Sequence, residues 1–260
     1  MVGSRRSRYG SYYGRGGGRR SPYRRQASMH RQSPSYNGGP LITVTKALTA
    51  LNVVMFALQS RFPSITRAGW KLAPAILGGQ YYRLITPVVL HGSLAHLLVN
   101  SLSFNSVGPV VEKVMGRKKF LATYLLSGAA GNVLSCVVNP HMPAVGASGA
   151  IFGMVGAWAA FCVMNESVLG RVNSQRALKN VGQTVMINVL YGMSSSQIDN
   201  MGHLGGFLGG ALVTLLIGPR LRMRSNPLTG ERYTVDVSPK LSLPRFGNRA
   251  RNSRDEKQWP

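Results

Sequence analysis

Apolar residues in this 260-residue chain cluster into six stretches between residues 41 and 218. Each stretch has roughly 17 to 22 residues, the length that an α-helix needs to cross about 30 Å of hydrocarbon. The pattern predicts an all-α membrane protein, a bundle of six transmembrane helices, rather than a soluble protein with buried core helices. The fifth stretch is polar, so we expect its neighbours to shield it from lipid or the helix to bend. The predicted spans are 41–60, 88–110, 119–138, 148–164, 180–195 and 200–218.

The charges of the loops test this topology independently. The chain has 31 Lys and Arg against 7 Asp and Glu, a formal net charge of +24. The loops after the second and fourth spans are basic, whereas the loops NPHMPAVGA and SSSQID contain no Lys or Arg. Because basic loops stay on the cytoplasmic side, an even number of spans is indicated. The long first loop is an exception, since it contains Arg61, Arg67, Lys71 and Arg83, but long loops cross membranes regardless of charge.

Composition divides the chain into a tail (1–40), a helical domain (41–218) and a second, basic tail (219–260). The first tail is rich in Arg, Gly and Ser and contains no Asp or Glu. We expect it to be disordered because it has too little apolar surface for a core. Its composition fits an organelle transit peptide or a segment that contacts anionic lipid headgroups; nucleic-acid binding is the least favoured alternative. It lacks the apolar segment of a secretory signal peptide. We expect the second tail to be a solvated extension.

Polar side chains inside apolar spans are costly, so they are candidate functional residues. His96 and Asn100 lie in the second span, Ser148 begins the fourth, and His203 lies near the start of the sixth. The even-numbered spans run in the same direction, which places all four residues near one face of the membrane. His96 and Asn100 also share a helix face because they are four residues apart. For His91 we expect a simpler position at the membrane interface.

Glycines follow both the serine and the histidine at helical spacing. Small residues spaced in this way let transmembrane helices approach closely. Close approach is what the serine hydroxyl and the imidazole need to reach a hydrogen bond of about 2.6 to 3.2 Å. Two simpler alternatives remain: the serine bonds to its own helix backbone, and the glycines serve only helix packing. The glycines concerned are Gly149, Gly153, Gly206 and Gly210.

Other polar residues and thiols have structural interpretations. We expect Asp199 to be the N-cap of the sixth span, with orientation of the nearby histidine as the alternative. Glu112 is expected to end the second span as a paired, partly solvated charge. Cys136 and Cys162 lie near opposite ends of their spans and are expected to be buried free thiols. The histidines lack metal-binding partners, and no HExxH motif is present, so neither a metal nor another cofactor is expected.

Three motifs together resemble those of the rhomboid intramembrane serine proteases: HGSLAHLLVN, GASGAIFG and GHLGGFLGG, in this order. Tyr82-Arg83 is similar to an aromatic-Arg pair in the first loop of that family, and Glu112 matches an acidic position after the second span. The segment QIDNMGHLGGFLGG is similar to plastid members. The resemblance covers residues 41 to 218.

The resemblance implies that Ser148 is the nucleophile and His203 its general base. His96 and Asn100, with the backbone N–H of Ser148, would form the oxyanion hole. It implies an endopeptidase that cleaves transmembrane segments of other membrane proteins through an acyl-enzyme, in a plastid or mitochondrial inner membrane. Expected partners are these substrates and membrane lipids, including anionic headgroups at the basic tails. The alternative is a non-catalytic rhomboid-like adaptor or chaperone.

Overall fold

A computed structural model describes residues 43–193 and 198–238, and these residues are mainly helical. The expected disorder of residues 1–40 and the end of the second tail lie outside the described residues. The helices are α1 (Val44–Arg61), α2 (Ser64–Gly69), α3 (Ala73–Leu77), α4 (Leu94–Met115), α5 (Arg117–Val138), α6 (Ser148–Met164), α7 (Glu166–Leu169), α8 (Arg171–Met193) and α9 (Asn200–Ile217).

Each of the six predicted spans forms a helix, but two helices begin six or more residues away from the expected start. The second span was expected from residue 88, whereas α4 begins at Leu94, after a 3₁₀ turn over Thr86–Val89. The hydroxyl of Ser93 caps α4 by accepting the N–H of His96. The fifth span was expected from residue 180, whereas α8 begins at Arg171. Its basic first turns are helical because Arg, Gln, Ala, Leu and Lys favour helices whether or not they face lipid.

Three of the described helices are long and apolar enough to cross a membrane: α4, α5 and α9. Helix α6 is apolar but shorter, with 17 residues. By length and composition the all-α membrane fold is therefore confirmed. The crossing of the membrane by all six long helices stays a prediction.

Aromatic side chains join the middle of the bundle. The ring of Phe104 on α4 lies 6.1 Å from that of Phe120 and 5.1 Å from that of Tyr124, both on α5. All three residues belong to one buried apolar cluster, to which α1 adds Leu48 and α6 adds Met154. Helices α5, α6 and α9 also pack against one another. The core therefore joins α4 and α6, which both begin at the candidate site, and α9 is held by its packing against α5 and α6.

The expectation for Glu112 is wrong. Its side chain is only 8% exposed, and it accepts hydrogen bonds from the backbone N–H groups of Val44 and Thr45 and from the Thr45 hydroxyl, at 2.8 to 2.9 Å. The carboxylate thus satisfies N–H groups at the start of α1 that have no partner within the helix. It joins α4 to α1 at the end of the bundle remote from Ser148.

A hairpin follows α9, where a solvated extension was expected. Strands β1 (Leu221–Ser225) and β2 (Arg232–Asp236) are antiparallel, with Leu221 opposite Asp236. The fully buried Asn165 anchors the hairpin, because its amide donates to the carbonyl of Pro219 and its carbonyl oxygen accepts from the N–H of Leu221. The hairpin is therefore attached to the end of α6.

Cys136 and Cys162 are both free thiols; Cys162 is buried as expected, whereas Cys136 is only partly buried.

Candidate active site

Ser148 is the first residue of α6 and follows a tight loop. Gly146 has a φ of 138°, a conformation that favours glycine, and its N–H donates to the carbonyl of Pro87 at 2.9 Å. The first hydrogen bond of α6 runs from the N–H of Ile151 to Ala147. The N–H of Ser148 is consequently one of the donors at the start of the helix that have no hydrogen-bond partner within the helix.

Helices α6 and α9 touch through their backbones at the predicted glycines. A Cβ added at Gly206 would overlap the carbonyl oxygen of Gly149, and a Cβ at Gly210 would overlap that of Gly153. A Cβ at Gly149 would lie 3.3 Å from the carbonyl oxygen of Gly202. We call this contact the α6–α9 seam. It places Ser148 close to the first turns of α9.

His203 lies on α9 one turn after Asp199, and it lines the same cleft as Ser148. Its ring is stacked on Phe152, with the ring centres 4.4 Å apart and the planes inclined by 10°. Within the described part of the chain, no hydrogen bond joins the serine hydroxyl to the imidazole. In enzymes without bound substrate, catalytic hydrogen bonds are often long and shorten only on binding.

His96 and Asn100 lie on the other side of the tight loop before Ser148, which we call the serine loop. A Cβ at Gly146 would lie 2.8 Å from Nε2 of His96 and 3.7 Å from Nδ2 of Asn100. Asn100 is buried, and its Nδ2 has no hydrogen-bond partner among the described residues. A buried donor without a partner is costly. This amide is therefore available to an oxygen atom placed beside the loop.

His91, expected at the membrane interface, is buried within the protein. It is 2% exposed, and its ring meets that of His96 edge to face with the centres 5.3 Å apart. Neither ring nitrogen has a hydrogen-bond partner among the described residues. Its backbone is held by the side chain of Gln59, which accepts from the His91 N–H and donates to its carbonyl. His91 thus packs behind His96.

Asp199 is the N-cap of α9, as predicted: its Oδ1 accepts the N–H of Gly202 at 2.9 Å. Two polar residues of α5, which the motifs in the sequence do not single out, lie close by. Asn132 lines the cleft and donates to the carbonyl of Leu84, and Ser135 donates to Asp199. Both are polar residues in an apolar span, which is the same signal that identified Ser148.

The described residues contain no group of three or more His, Cys, Asp or Glu side chains arranged to hold a metal ion.

Comparison with known proteins adds a family match. A family model described as Rhomboid domain matches residues 78–220, more than half of the chain. The match includes the serine loop, the first turns of α4 and the whole of the α6–α9 seam. All four candidate site residues therefore lie within the matched part.

Individual relatives have related names. Rhomboid protease GluP of Bacillus subtilis (strain 168) is 37% identical over 188 residues, covering 70% of this chain and 36% of that protein. YdcA of the same organism, whose name also contains the words rhomboid protease, is 33% identical over 181 residues, covering 68% and 88%. RHOMBOID-like protein 9, chloroplastic, of Arabidopsis thaliana is 28% identical over 174 residues, covering 66% and 39%. The chain thus spans about a third of the length of the first relative and most of the second.

Proposed function

The chain belongs to the rhomboid family, and on this premise we propose that it is an intramembrane serine endopeptidase that cleaves transmembrane segments of other membrane proteins. One observation carries the proposal: Ser148 at the start of α6 and His203 on α9 line a single cleft. The chain is an integral membrane protein with apolar helices of membrane-spanning length, so a substrate segment would reach this cleft from the bilayer.

In the proposed reaction the Ser148 hydroxyl attacks the carbonyl carbon of the scissile peptide bond. A serine hydroxyl is a weak nucleophile until a base accepts its proton, and His203 is the base facing the same cleft. The imidazolium then returns the proton to the leaving amine, which leaves an acyl group on Ser148. A water molecule, deprotonated by His203, then attacks the acyl group; the acyl group leaves as a carboxylic acid, and the imidazolium returns the proton to the Ser148 oxygen. The hydrogen bond between the two side chains forms as substrate fills the cleft.

The oxygen of the tetrahedral intermediate carries the negative charge that the site must stabilise. We propose three donors for it: the N–H of Ser148, the ring of His96 and the amide of Asn100. The partnerless Nδ2 of Asn100 supports this role, because a fixed donor aimed at the oxyanion costs no reorganisation during the reaction. Each such donor contributes about 3 to 4 kcal/mol to transition-state stabilisation.

The substrate must unfold locally before it is cut, since the backbone of a helix is engaged in internal hydrogen bonds. Substrates are therefore expected to have helix-destabilising residues such as Gly or Pro near the cleavage site. A reporter with an uninterrupted Leu-rich transmembrane segment should be cleaved more slowly than the same reporter with a central Gly pair. Equal rates would contradict this part of the proposal.

Substitution of the nucleophile tests the proposed activity. Ser148→Ala should abolish both cleavage of a reporter transmembrane segment and labelling by a fluorophosphonate, while Ser167→Ala, at an exposed position on α7, should leave both unchanged. The rival function is that of an adaptor or chaperone. It would be favoured if the unaltered protein bound a client segment without cutting it and Ser148→Ala bound it equally well.

We also propose an organelle membrane as the location, and anionic lipid headgroups as partners of the basic tails. The chloroplastic relative and the Arg-rich residues 1–40 support the location. A fluorescent protein fused behind residues 1–40 should enter plastids or mitochondria, and a cytosolic fusion would contradict this. For the lipid contact, we expect the double variant Arg222→Ser, Arg224→Ser to insert into nanodiscs as well as the unaltered protein does. Its binding to phosphatidylglycerol headgroups in those nanodiscs should be weaker.

A further inference from the structure

Lys71, in the loop between α2 and α3, is a cation that is fully buried. Its ammonium group donates to the Ser135 hydroxyl at 2.8 Å and to the carbonyl of Asn139 at 3.4 Å. Its backbone pairs with Ala144 through two hydrogen bonds, of 2.8 and 3.2 Å. Burying an unpaired charge costs several kcal/mol. The position of Lys71 therefore depends on these contacts and on the acidic group beyond them.

The direction of every hydrogen bond in this network follows from the chemistry of its members. An ammonium group has only donors, so Ser135 Oγ accepts from Lys71. The single hydroxyl proton of Ser135 is then free to go to Asp199, whose Oδ2 lies 2.5 Å away. The second oxygen of Asp199 accepts the N–H of Gly202 at 2.9 Å. Donation therefore converges on the Asp199 carboxylate, from the cation through the Ser135 hydroxyl on one side and from the first turn of α9 on the other.

Lys71 consequently reaches both helices that carry the proposed dyad. Ala144, its backbone partner, lies four residues before Ser148, and Asp199, the end of its side-chain network, lies four residues before His203. Both connections reach the chain near the N-terminal ends of α6 and α9, before the glycines of the α6–α9 seam. The seam fixes the spacing of the two helices, and the Lys71 network adds a connection between their N-terminal ends.

We propose that Lys71 is a positioning residue that acts through Ser135 and Asp199 to hold Ser148 and His203 in the relative register that proton transfer requires. The inference rests on the proposed protease function. Lys71 itself cannot contact a substrate in the cleft, because it is fully buried. Its loss should therefore lower turnover and leave substrate affinity unchanged.

The experiment compares Lys71→Met, Ser135→Ala and Asp199→Asn with the unaltered full-length protein in proteoliposomes. Asp199→Asn keeps an oxygen to cap α9 but removes the acceptor for the Ser135 hydroxyl, so it separates capping from the network. Each variant should lower kcat by about 10- to 100-fold without raising KM. The rate of fluorophosphonate labelling of Ser148 should fall by a similar factor. Lys46→Met, at an exposed position on α1, is the matched control and should change neither quantity.

Two further measurements distinguish positioning from general stability. The double variant Lys71→Met, Ser135→Ala should be no slower than the slower single variant, because both break one chain of bonds. All rates are taken well below each variant's Tm. If Lys71→Met does not fold, Ser135→Ala, which removes a single oxygen, still decides the question.

Normal kcat in Ser135→Ala and Asp199→Asn would overturn the inference, as would additive effects in the double variant or an effect confined to KM. These outcomes leave the proposed function intact, provided that the unaltered protein is labelled and cleaves its reporter. If the unaltered protein does neither, the proposed function fails and this inference fails with it.

Discussion

Two features favour glycine at position 146: its backbone conformation and the closeness of the His96 ring. Its φ of 138° is unfavourable for residues with a side chain, and an added Cβ would lie 2.7 Å from Cε1 of His96. Gly79 has a similarly positive φ of 97° but nothing within 4 Å of an added Cβ. Alanine variants at these two positions therefore distinguish the effect of backbone strain from the effect of displacing His96, the proposed oxyanion donor.

Gly146→Ala should lower kcat/KM by about 100-fold, because His96 must move away from the serine loop. Gly79→Ala should carry only the backbone cost, about 1 to 3 kcal/mol of stability, with kcat/KM close to that of the unaltered protein. Steady-state kinetics and thermal unfolding of both variants check this. Equal losses of kcat/KM in the two variants would show that strain alone is responsible.

Glu112 is expected to govern stability rather than chemistry. Glu112→Gln places an NH₂ group against one of the three donors at the start of α1, so we expect a loss of about 1 to 3 kcal/mol. Glu166→Gln, at an exposed position on α7, is the control and should leave Tm unchanged. Thermal unfolding measures both. A Tm for Glu112→Gln equal to that of the control would mean that the buried carboxylate contributes nothing to stability.

At the level of single residues, the sequence identified the candidate site by type and spacing, but it did not identify the supporting residues. Ser148, His203, His96 and Asn100 stand out because each is polar within an apolar helix. In the sequence Lys71 resembles an ordinary loop charge, since its burial depends on Ser135, 64 residues further along the chain. Contacts at such separations leave no local pattern in a single sequence.

The α6–α9 seam can be tested at the level of helices. Gly210→Ala would place a methyl group against the carbonyl oxygen of Gly153, so the two helices must separate. Gly182→Ala on α8 is the control, because an added Cβ there meets nothing within 4 Å. The first should lower the free energy of unfolding by about 1 to 3 kcal/mol, and the second should raise it by about 0.5 to 1 kcal/mol. A free energy of unfolding for Gly210→Ala equal to that of the unaltered protein would contradict backbone contact in the seam.

Helices were easier to predict than their ends or the connections between them. Six apolar stretches gave six helices, since apolar runs of that length have few other ways to satisfy their backbone. The start of α8 lay nine residues earlier than expected because a helix can extend beyond its apolar part. The hairpin after α9 was missed because its strands, LRMRS and RYTVD, are short and largely exposed.

The six-span topology is a property of the whole molecule, and side-specific labelling tests it. With six crossings, the loop before Ser148 and helix α7 lie on opposite sides of the membrane. In a background of Cys136→Ala and Cys162→Ala, His141→Cys and Ser167→Cys should react with a membrane-impermeant maleimide from opposite faces of sealed vesicles. Asn226→Cys, in the hairpin, should behave like Ser167→Cys. Reaction of His141→Cys and Ser167→Cys from the same face would rule out this topology.

The glycine contact between α6 and α9 also affects how such a protein can change over generations. Peptide groups set the spacing of the two helices, so this spacing does not depend on the rotamer of any side chain in the seam. The outward residues of α9, among them Leu204, Leu208 and Leu212, are exposed and take no part in that spacing. Mutational drift at these positions can suit the protein to a thicker or thinner bilayer while its chemistry is inherited unchanged.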